Sequence, residues 1–410
     1  MAIIVQKYGG SSVADAARIS TVADRVVAAR EAGSDVVVVV SAMGDTTDDL
    51  LALAGEITDV PEPRELDMLL TAGERIAMSL LAIAINARGV RAASYTGSQA
   101  GIITDTQHGK ARIVEIRPQR IRESLEAGNV VIVAGFQGLS TSYDITTLGR
   151  GGSDTTAVAM AAALGADVCE IWTDVDGVYT ADPRLEPRAR RIDRISSEEM
   201  LELAAAGAKV LQTRSVEYAR RTGVPLHVRS SFTGGPGTWV VEDDAMEQAL
   251  IRGVALDAGE AKVTLDDVPD RPGVAARVFR AVADAGINVD MIVQNVSRDG
   301  ATDLSFTVAR EDLARLDEAL AGIAHEVGAV RSSIDADIAK LSLVGAGMKS
   351  NPGVAADMFD ALAGEGINID MISTSPIRVS CVIRAADAER AVRAVHARFG
   401  LDAGAPKGEP

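Results

Sequence analysis

The 410-residue sequence predicts an α/β protein in two parts: a mostly parallel sheet between helices, then two ferredoxin-like βαββαβ units. Three observations carry that expectation. Short β-rich runs alternate with Ala-rich helical stretches over residues 1–245, the pattern of βαβ units with right-handed crossovers. Asp35–Val40 is a continuous valine run, apolar on both faces, as the centre of a parallel sheet is. Residues 272–292 return at 352–372 with 14 of 21 positions identical.

Taken in order, Ile3–Val5 opens a strand that runs through Gly9-Gly10-Ser11-Ser12 into a helix from about Val13 to Ala32. Gly33 supplies the C′ residue that ends it. After the valine strand come helix Leu66–Arg88, strand Arg91–Tyr95, helix Ile113–Ala127 and strand Val130–Ala134. Helix Thr155–Leu164 and strand Val168–Thr173 follow. Ligands of such sheets collect at the carboxyl ends of the strands, so the loops there are the place to search.

In the second part each copy reads strand, Pro-Gly turn, helix, Gly-Ile-Asn turn, strand, strand, helix. Pro272-Gly273 and Pro352-Gly353 open the two helices, and Gly286 and Gly366 close them. The second copy lacks a last strand, because beyond helix Asp387–Phe399 the chain decays into Gly, Ala and Pro. An orphan strand, Ile251–Leu256, is expected to complete that sheet. The first unit (262–336) is then inserted into the second (251–261 plus 337–402).

Composition excludes several classes. The net charge is −17 and aromatics make up 3%, which disfavours nucleic acid, whose readers show basic patches and stacking rings. An apolar content of 47% excludes disorder. Two distant cysteines, Cys169 and Cys381, exclude a disulfide scaffold and a cysteine-cluster zinc site. The start Met-Ala-Ile-Ile-Val-Gln-Lys lacks a signal peptide's leader, and Val36–Met43 and Met78–Ala87 are too short to span a bilayer. A cytoplasmic protein without a membrane partner is expected.

Three segments at strand ends hold candidate chemistry. In Lys7-Tyr8-Gly9-Gly10-Ser11-Ser12 the glycines let backbone N–H groups approach an anion, and Lys7 adds a point charge. An ordinary βα turn with a Ser cap reads the same way. Neither a Walker loop nor a dinucleotide fingerprint occurs. Gly149-Arg150-Gly151-Gly152-Ser153-Asp154-Thr155-Thr156 places three glycines around an arginine that can grip a carboxylate at a helix start. Thr173–Arg184, rich in Asp, Gly and Pro, is a run of turns that spacing alone does not assign.

Together with Ser41-Ala-Met-Gly44 and Thr71-Ala-Gly-Glu74, these motifs, in this order, resemble the amino-acid kinase superfamily, specifically aspartate kinases of the actinobacterial type. The duplicated unit resembles the tandem ACT domains with which such kinases sense amino acids. The likeness runs from residue 3 to about 400, with Ser11 where the family usually has Thr.

The resemblance implies transfer of the ATP γ-phosphoryl group to the β-carboxylate of L-aspartate, with Mg²⁺ brought by ATP. It implies Lys7, Arg150 and Asp154 as catalytic residues. Arg150 would hold the α-carboxylate, Glu74 the ammonium, and Ser41, Thr47 and Ser153 would orient the substrate. Lys7, Tyr8, Gly9, Gly10, Thr173, Asp174, Tyr179, Arg184 and Lys209 would form the nucleotide set. Glu74 is read at a loop-to-helix step, where a helix N-terminus also favours an acid. A carboxylate nucleophile is already ionised at pH 7 and needs no general base, in keeping with glycine motifs that contain no His. No dedicated metal ligands can be read.

Effector sites for lysine and/or threonine are implied at Asp270, Asn288, Val289 and Gln294, and at Asn368, Ile369, Thr374 and Ser375. The resemblance also implies a homo-oligomer, or an α2β2 assembly with a shorter regulatory chain starting near Met246. Two other readings stay open at the level of sequence: a kinase for another acceptor such as glutamate or N-acetylglutamate, and a non-catalytic amino-acid sensor.

Overall fold

The computed structural model describes residues 1–242, 251–294, 300–348 and 351–402; Met246 lies outside them. The chain forms two compact units. The first comprises Met1–Val178, Arg191–Ala204 and Lys209–Met246. It begins with β1 (Ile3–Tyr8), α1 (Ala16–Glu31), β2 (Asp35–Val40), α2 (Thr46–Gly55), α3 (Pro63–Asn86) and β3 (Ala92–Tyr95). Then come β4 (Ile102–Thr104), β5 (Ile113–Ile116), α4 (Gln119–Glu126), β6 (Val130–Ala134), β7 (Gln137–Ser140) and β8 (Ile145–Thr147). The unit continues with α5 (Gly152–Leu164), β9 (Val168–Thr173), β10 (Arg194–Ser196), α6 (Ser197–Ala205), α7 (Thr213–Thr222), β11 (Leu226–Ser230) and β12 (Thr238–Val241).

Eight strands form the main sheet in the order β10-β12-β11-β9-β1-β2-β6-β3, parallel except at β11/β12. Strand β2 lies inside it, and Val36–Val40 are fully buried. That is why five consecutive valines are tolerated: both faces are covered, one by the cluster that joins α1 and α3 to β2 and β6. Asp15 caps α1 by accepting from the Arg18 amide at 2.9 Å, a contact worth about 1 kcal/mol. Helix α3 is long and apolar enough to cross a membrane, but half of its most apolar window is buried, and it packs on α1, β3 and β6.

Two sequence expectations are corrected here. Residues 113–127 are not one helix. Ile113–Ile116 is a strand paired with β4, and the helix begins only after Pro118. The proline disfavours helical backbone at Arg117, and the β-branched run before it takes the extended state. Glu74 is not at a helix start but in the middle of α3, so its placement owes nothing to a helix dipole. A second sheet, ordered β5-β4-β7-β8, was not anticipated, because strands of three or four residues are too short to show alternation.

The second unit comprises Tyr179–Arg190, Ala205–Ala208 and Glu247–Pro410. It holds β13 (Gly253–Asp257), β14 (Glu260–Pro269), α8 (Val274–Asp284), β15 (Val289–Gln294), β16 (Ala301–Ala309), α9 (Leu313–Val327) and β17 (Arg331–Asp335). The rest is β18 (Ile338–Val344), α10 (Val354–Gly364), β19 (Met371–Ser375), β20 (Arg378–Arg384) and α11 (Ala388–Arg398). One sheet runs β15-β16-β14-β17 and the other β13-β18-β20-β19. Strand β13 pairs antiparallel with β18, from Gly253 opposite Val344 to Asp257 opposite Lys340.

Tyr179–Arg190 continues the first unit's chain but packs in the second. Thr180 accepts from the Val254 amide at 2.8 Å, and its hydroxyl meets His396 Nε2 at 2.9 Å. Ala181, Leu185 and Ala189 join the core of the β13 sheet. The segment forms no helix or strand, so no apolar period in the sequence betrayed this.

The two sheets of the second unit are linked by a buried charge cluster. Lys340 on β18, 1% exposed, pairs with Glu260 on β14 and Asp290 on β15, and Arg378 lies 3.8 Å from Asp290. Burial opposes the charge on Lys340, but the two carboxylates outweigh it and hold its pKa above the usual lysine range. Replacing Lys340 with Ala takes the ion-pair partner from buried Glu260 and leaves Asp290 only the more distant Arg378. We expect a loss of about 3 kcal/mol in the second unit's unfolding transition, measured by urea denaturation. A loss below about 1 kcal/mol would mean that the cluster contributes little.

Candidate active site

The site is built where β1 and β2 end side by side. From β1 the chain enters a 3₁₀ turn, Gly10–Val13. From β2 it turns through Ser41–Gly44 toward α2. These two loops interlock: Ser41 N donates to Tyr8 O at 3.1 Å, and Gly44 N donates to Gly10 O at 3.1 Å. A Cβ at residue 10 would lie 2.9 Å from Ala42 O and 3.0 Å from Gly44 O, both backbone atoms, so only glycine fits. The Gly9 amide reaches across to Trp172 O, tying the loop to the end of β9.

Lys7, near the end of β1, meets Asp154 Oδ1 at 2.6 Å. Asp154 lies in the first turn of α5, which Gly151 opens at φ +70°. Both side chains are about nine-tenths buried. Ser153 is buried beside Asp154, and Gly135 packs against it so closely that a Cβ there would stand 2.7 Å from its Oγ. Arg150, one residue before Gly151, is exposed. Ser41, just after β2, and Thr47, in the first turn of α2, are half-buried.

Glu74 reaches the same connection from α3. Its Oε1 accepts from the Ala42 amide at 3.2 Å, while Oε2 is buried and has no hydrogen-bond partner. Burial pushes its pKa up to about 7, against the amide bonds, which favour the ionised form. A buried carboxylate oxygen with no partner is costly unless a cation arrives to meet it.

On the other side of β1, Thr173 ends β9. Its hydroxyl bonds Asp174 at 3.1 Å, and its carbonyl accepts from Ser231 N at 2.8 Å. Asp174 is exposed. The Ser231 hydroxyl meets that of Ser12 at 2.6 Å, so the turn after β11 also braces the glycine loop. Tyr8 sends its side chain into the core, fully buried and stacked on Trp172 at 5.9 Å, which leaves only its backbone for a ligand. Lys209 is exposed on the loop before α7, and Gln212 of that loop packs on Gly151.

The fold thus gathers Lys7, Gly9, Gly10, Ser41, Thr47, Glu74, Ser153 and Asp154 at one set of strand ends, with Thr173 and Asp174 on the neighbouring strand. Tyr179 and Arg184 belong to the segment that packs with the second unit, where Arg184 pairs with Asp182 at 2.7 Å. Ser231, Gln212 and Trp172 were missed in the sequence. None sits in a glycine motif, and only tertiary pairing brings them to the loop.

In the second unit a cavity of about 340 Å³ opens beside the first Pro-Gly turn. Asp270, Arg271, Gly273, Gln294 and Thr302 are among the residues lining it. Asn288 and Val289 do not line it. They stand at the opposite end of β15 from Gln294, about 17 to 20 Å away along a strand. In the second copy Asn368 and Thr374 are exposed, and Ile369 and Ser375 half-buried.

Comparison with known proteins agrees with this architecture. The amino acid kinase family matches residues 2–230, and ACT domains match 262–325 and 341–399. An aspartokinase of Mycolicibacterium smegmatis is 59% identical over 98% of this chain and 97% of its own length. Among solved structures, E. coli aspartokinase III in complex with aspartate and ADP (R-state) aligns with a TM-score of 0.84 at 29% identity, over 97% of this chain and 99% of that one. The same enzyme in complex with lysine and aspartate (T-state) aligns with a TM-score of 0.74 at 28% identity, again over 97% and 99%. The chain belongs to the amino acid kinase family, as an aspartate kinase with two ACT domains.

The state of Glu74 gives a stability test. Its folded pKa is raised, so its contribution is complete below the ordinary carboxyl pKa of 4.5 and is lost as pH rises through about 7. Melting curves at pH 5 and 8 should show Glu74→Gln gaining on the native enzyme by up to about 3 kcal/mol at the higher pH. Parallel pH profiles would contradict the assignment.

Proposed function

We propose that the enzyme transfers the γ-phosphoryl group of ATP to the β-carboxylate of L-aspartate, giving 4-phospho-L-aspartate. The observation that supports this best is Glu74, whose unpartnered buried oxygen suits a free α-ammonium. An N-acetylated acceptor offers no cation for it, which speaks against that alternative. Arg150 takes the α-carboxylate, a planar group that a guanidinium grips with two bonds. Ser41, Thr47 and Ser153 orient the β-carboxylate, which attacks as the anion without a base.

Phosphoryl transfer is governed by positioning and by cations around the moving oxygens. Lys7 supplies one cation, exchanging its bond to Asp154 for the phosphates, and Lys209 supplies another. The backbone of Tyr8, Gly9 and Gly10 faces the phosphates, while Thr173, Asp174, Tyr179 and Arg184 serve the nucleoside end. Among the described residues no three His, Cys, Asp or Glu side chains cluster to hold a metal. Mg²⁺, which neutralises phosphate charge when bound, would be held mainly by phosphate oxygens and water, with Asp154 as the available carboxylate.

The reaction opens the route to lysine, threonine and methionine, and to diaminopimelate. Feedback by lysine and/or threonine acts through the ACT domains. The lysine complex of the E. coli relative supports lysine as one effector. The cavity at Asp270 and Gln294 is within the size range of small-ligand pockets, with Asp270 to accept an ammonium. Asn288, Val289, Asn368, Ile369, Thr374 and Ser375 complete the proposed effector set. The domain division is 1–245, 262–336, and 251–261 with 337–402. The assembly is a homo-oligomer or an α2β2 pair with a shorter chain from Met246, working in the cytoplasm.

Trapping the product as hydroxamate tests the activity. Lys7→Ala should lower kcat about a hundredfold or more. Full turnover by Lys7→Ala, or no hydroxamate from aspartate and ATP, refutes the reading. The KM for aspartate should rise as pH falls below about 7, where Glu74 takes up a proton, and Glu74→Gln should flatten that rise. Calorimetry of the full chain with lysine and with threonine should show binding that Asp270→Ala weakens about tenfold. Unchanged binding would remove Asp270 from the effector site.

A further inference from the structure

Helix α3 carries a second buried carboxylate that the reaction itself does not use. Asp67 is 1% exposed, seven residues before Glu74 and therefore on the same face, about 10 Å away along the axis. An isolated acid at such a site would be costly, and Asp67 is fully engaged. His108 Nδ1 meets Oδ2 at 2.7 Å, and the Gly109 amide donates to both oxygens at 3.1 Å. The Thr147 hydroxyl donates to Oδ1.

Those partners lead to the substrate loop. Thr147 ends β8, three residues before Arg150, and its carbonyl accepts from Ala111 N at 2.9 Å. Leu148 N donates to Phe136 O at 2.8 Å, and Leu148 O accepts from Arg214 at 3.0 Å. Gly149 is packed so tightly on the turn after His108 that a Cβ there would lie 3.0 Å from Gly109 O. Up to Gly149, then, the loop is fixed against α3 and the His108–Gly109 turn, while the Arg150 side chain itself is exposed.

We propose that Asp67, with His108 and Thr147, is a positioning group that sets the distance between the two halves of the amino-acid site. Glu74 receives the ammonium and Arg150 the α-carboxylate, and one helix fixes both: directly at Glu74, and through the Asp67 tether at the loop before Arg150. This rests on the reading of Glu74 and Arg150 given above. It makes α3 a ruler for the amino-acid group shared by all α-amino-acid substrates, leaving discrimination of the side chain to other contacts.

Steady-state kinetics on the full-length enzyme test it. Thr147→Val and Asp67→Asn should raise the KM for aspartate about tenfold or more while the KM for ATP stays within about twofold. Thr147→Ser, which keeps the hydroxyl, should restore the native value. His108→Ala should act in the same direction as Thr147→Val, and both remain informative if Asp67→Asn does not fold. Equal rises in both KM values, or a lowered melting temperature with native KM for aspartate, overturn the proposal. Glu74→Gln serves as the control. If it leaves the KM for aspartate unchanged, the substrate reading fails; if it raises that KM while Thr147→Val does not, only the tether fails.

Discussion

The candidate active end of this protein depends on two backbone loops sharing one space. Strands β1 and β2 run parallel, and the loops that leave them meet at Gly10, where a single methyl group would collide with two carbonyl oxygens. Everything nearby takes its position from that meeting. The glycine loop is pinned to Gly44 and Ser41 on one side and to Trp172 and Ser231 on the other. Lys7 is thereby set toward the start of α5, and Ala42 is held where Glu74 can accept its amide. Phosphoryl transfer asks little covalent chemistry of a protein and much fixed geometry, and a loop braced from both sides supplies it.

Charge is arranged with similar economy. The chain carries −17 overall, so the mean field repels both anionic substrates, and attraction has to come from local devices. Lys7 is held in place by Asp154, 2.6 Å away in a pair that is about nine-tenths buried. Glu74 is held in the opposite condition, desolvated and half inclined to keep a proton until a cation meets it. The two groups solve one problem, which is how to store a charge in a nearly dry site without losing the fold.

Much of this was legible in the sequence. The valine strand and the strands Val130–Ala134 and Val168–Thr173 appear with the expected bounds because continuous apolar runs of that length have few alternatives in a helix-covered sheet. The glycine motifs identified the loops because their spacing reflects backbone approach. The small sheet of β4, β5, β7 and β8 was illegible, as its strands are too short for any period to show. So was Asp67, an acid in an apolar helix whose hydrogen-bond partners lie about 40 and 80 residues away in sequence. Glu74 was named from its motif yet misread in its setting, since Thr71-Ala-Gly-Glu74 looks like a break but folds as unbroken helix.

The placement of Tyr179–Arg190 bears on how the gene product can be divided. A chain beginning near Met246 carries both ACT sheets but lacks Ala181, Leu185 and Ala189 from the core beneath β13, and lacks the carbonyl that receives the Val254 amide. His396, whose Nε2 meets only Thr180 among the hydrogen bonds described, would be left without it. A regulatory chain made on its own would therefore carry a gap shaped like a piece of the catalytic chain. Such a fragment would expose apolar surface that the full-length chain keeps covered with its own Tyr179–Arg190 segment.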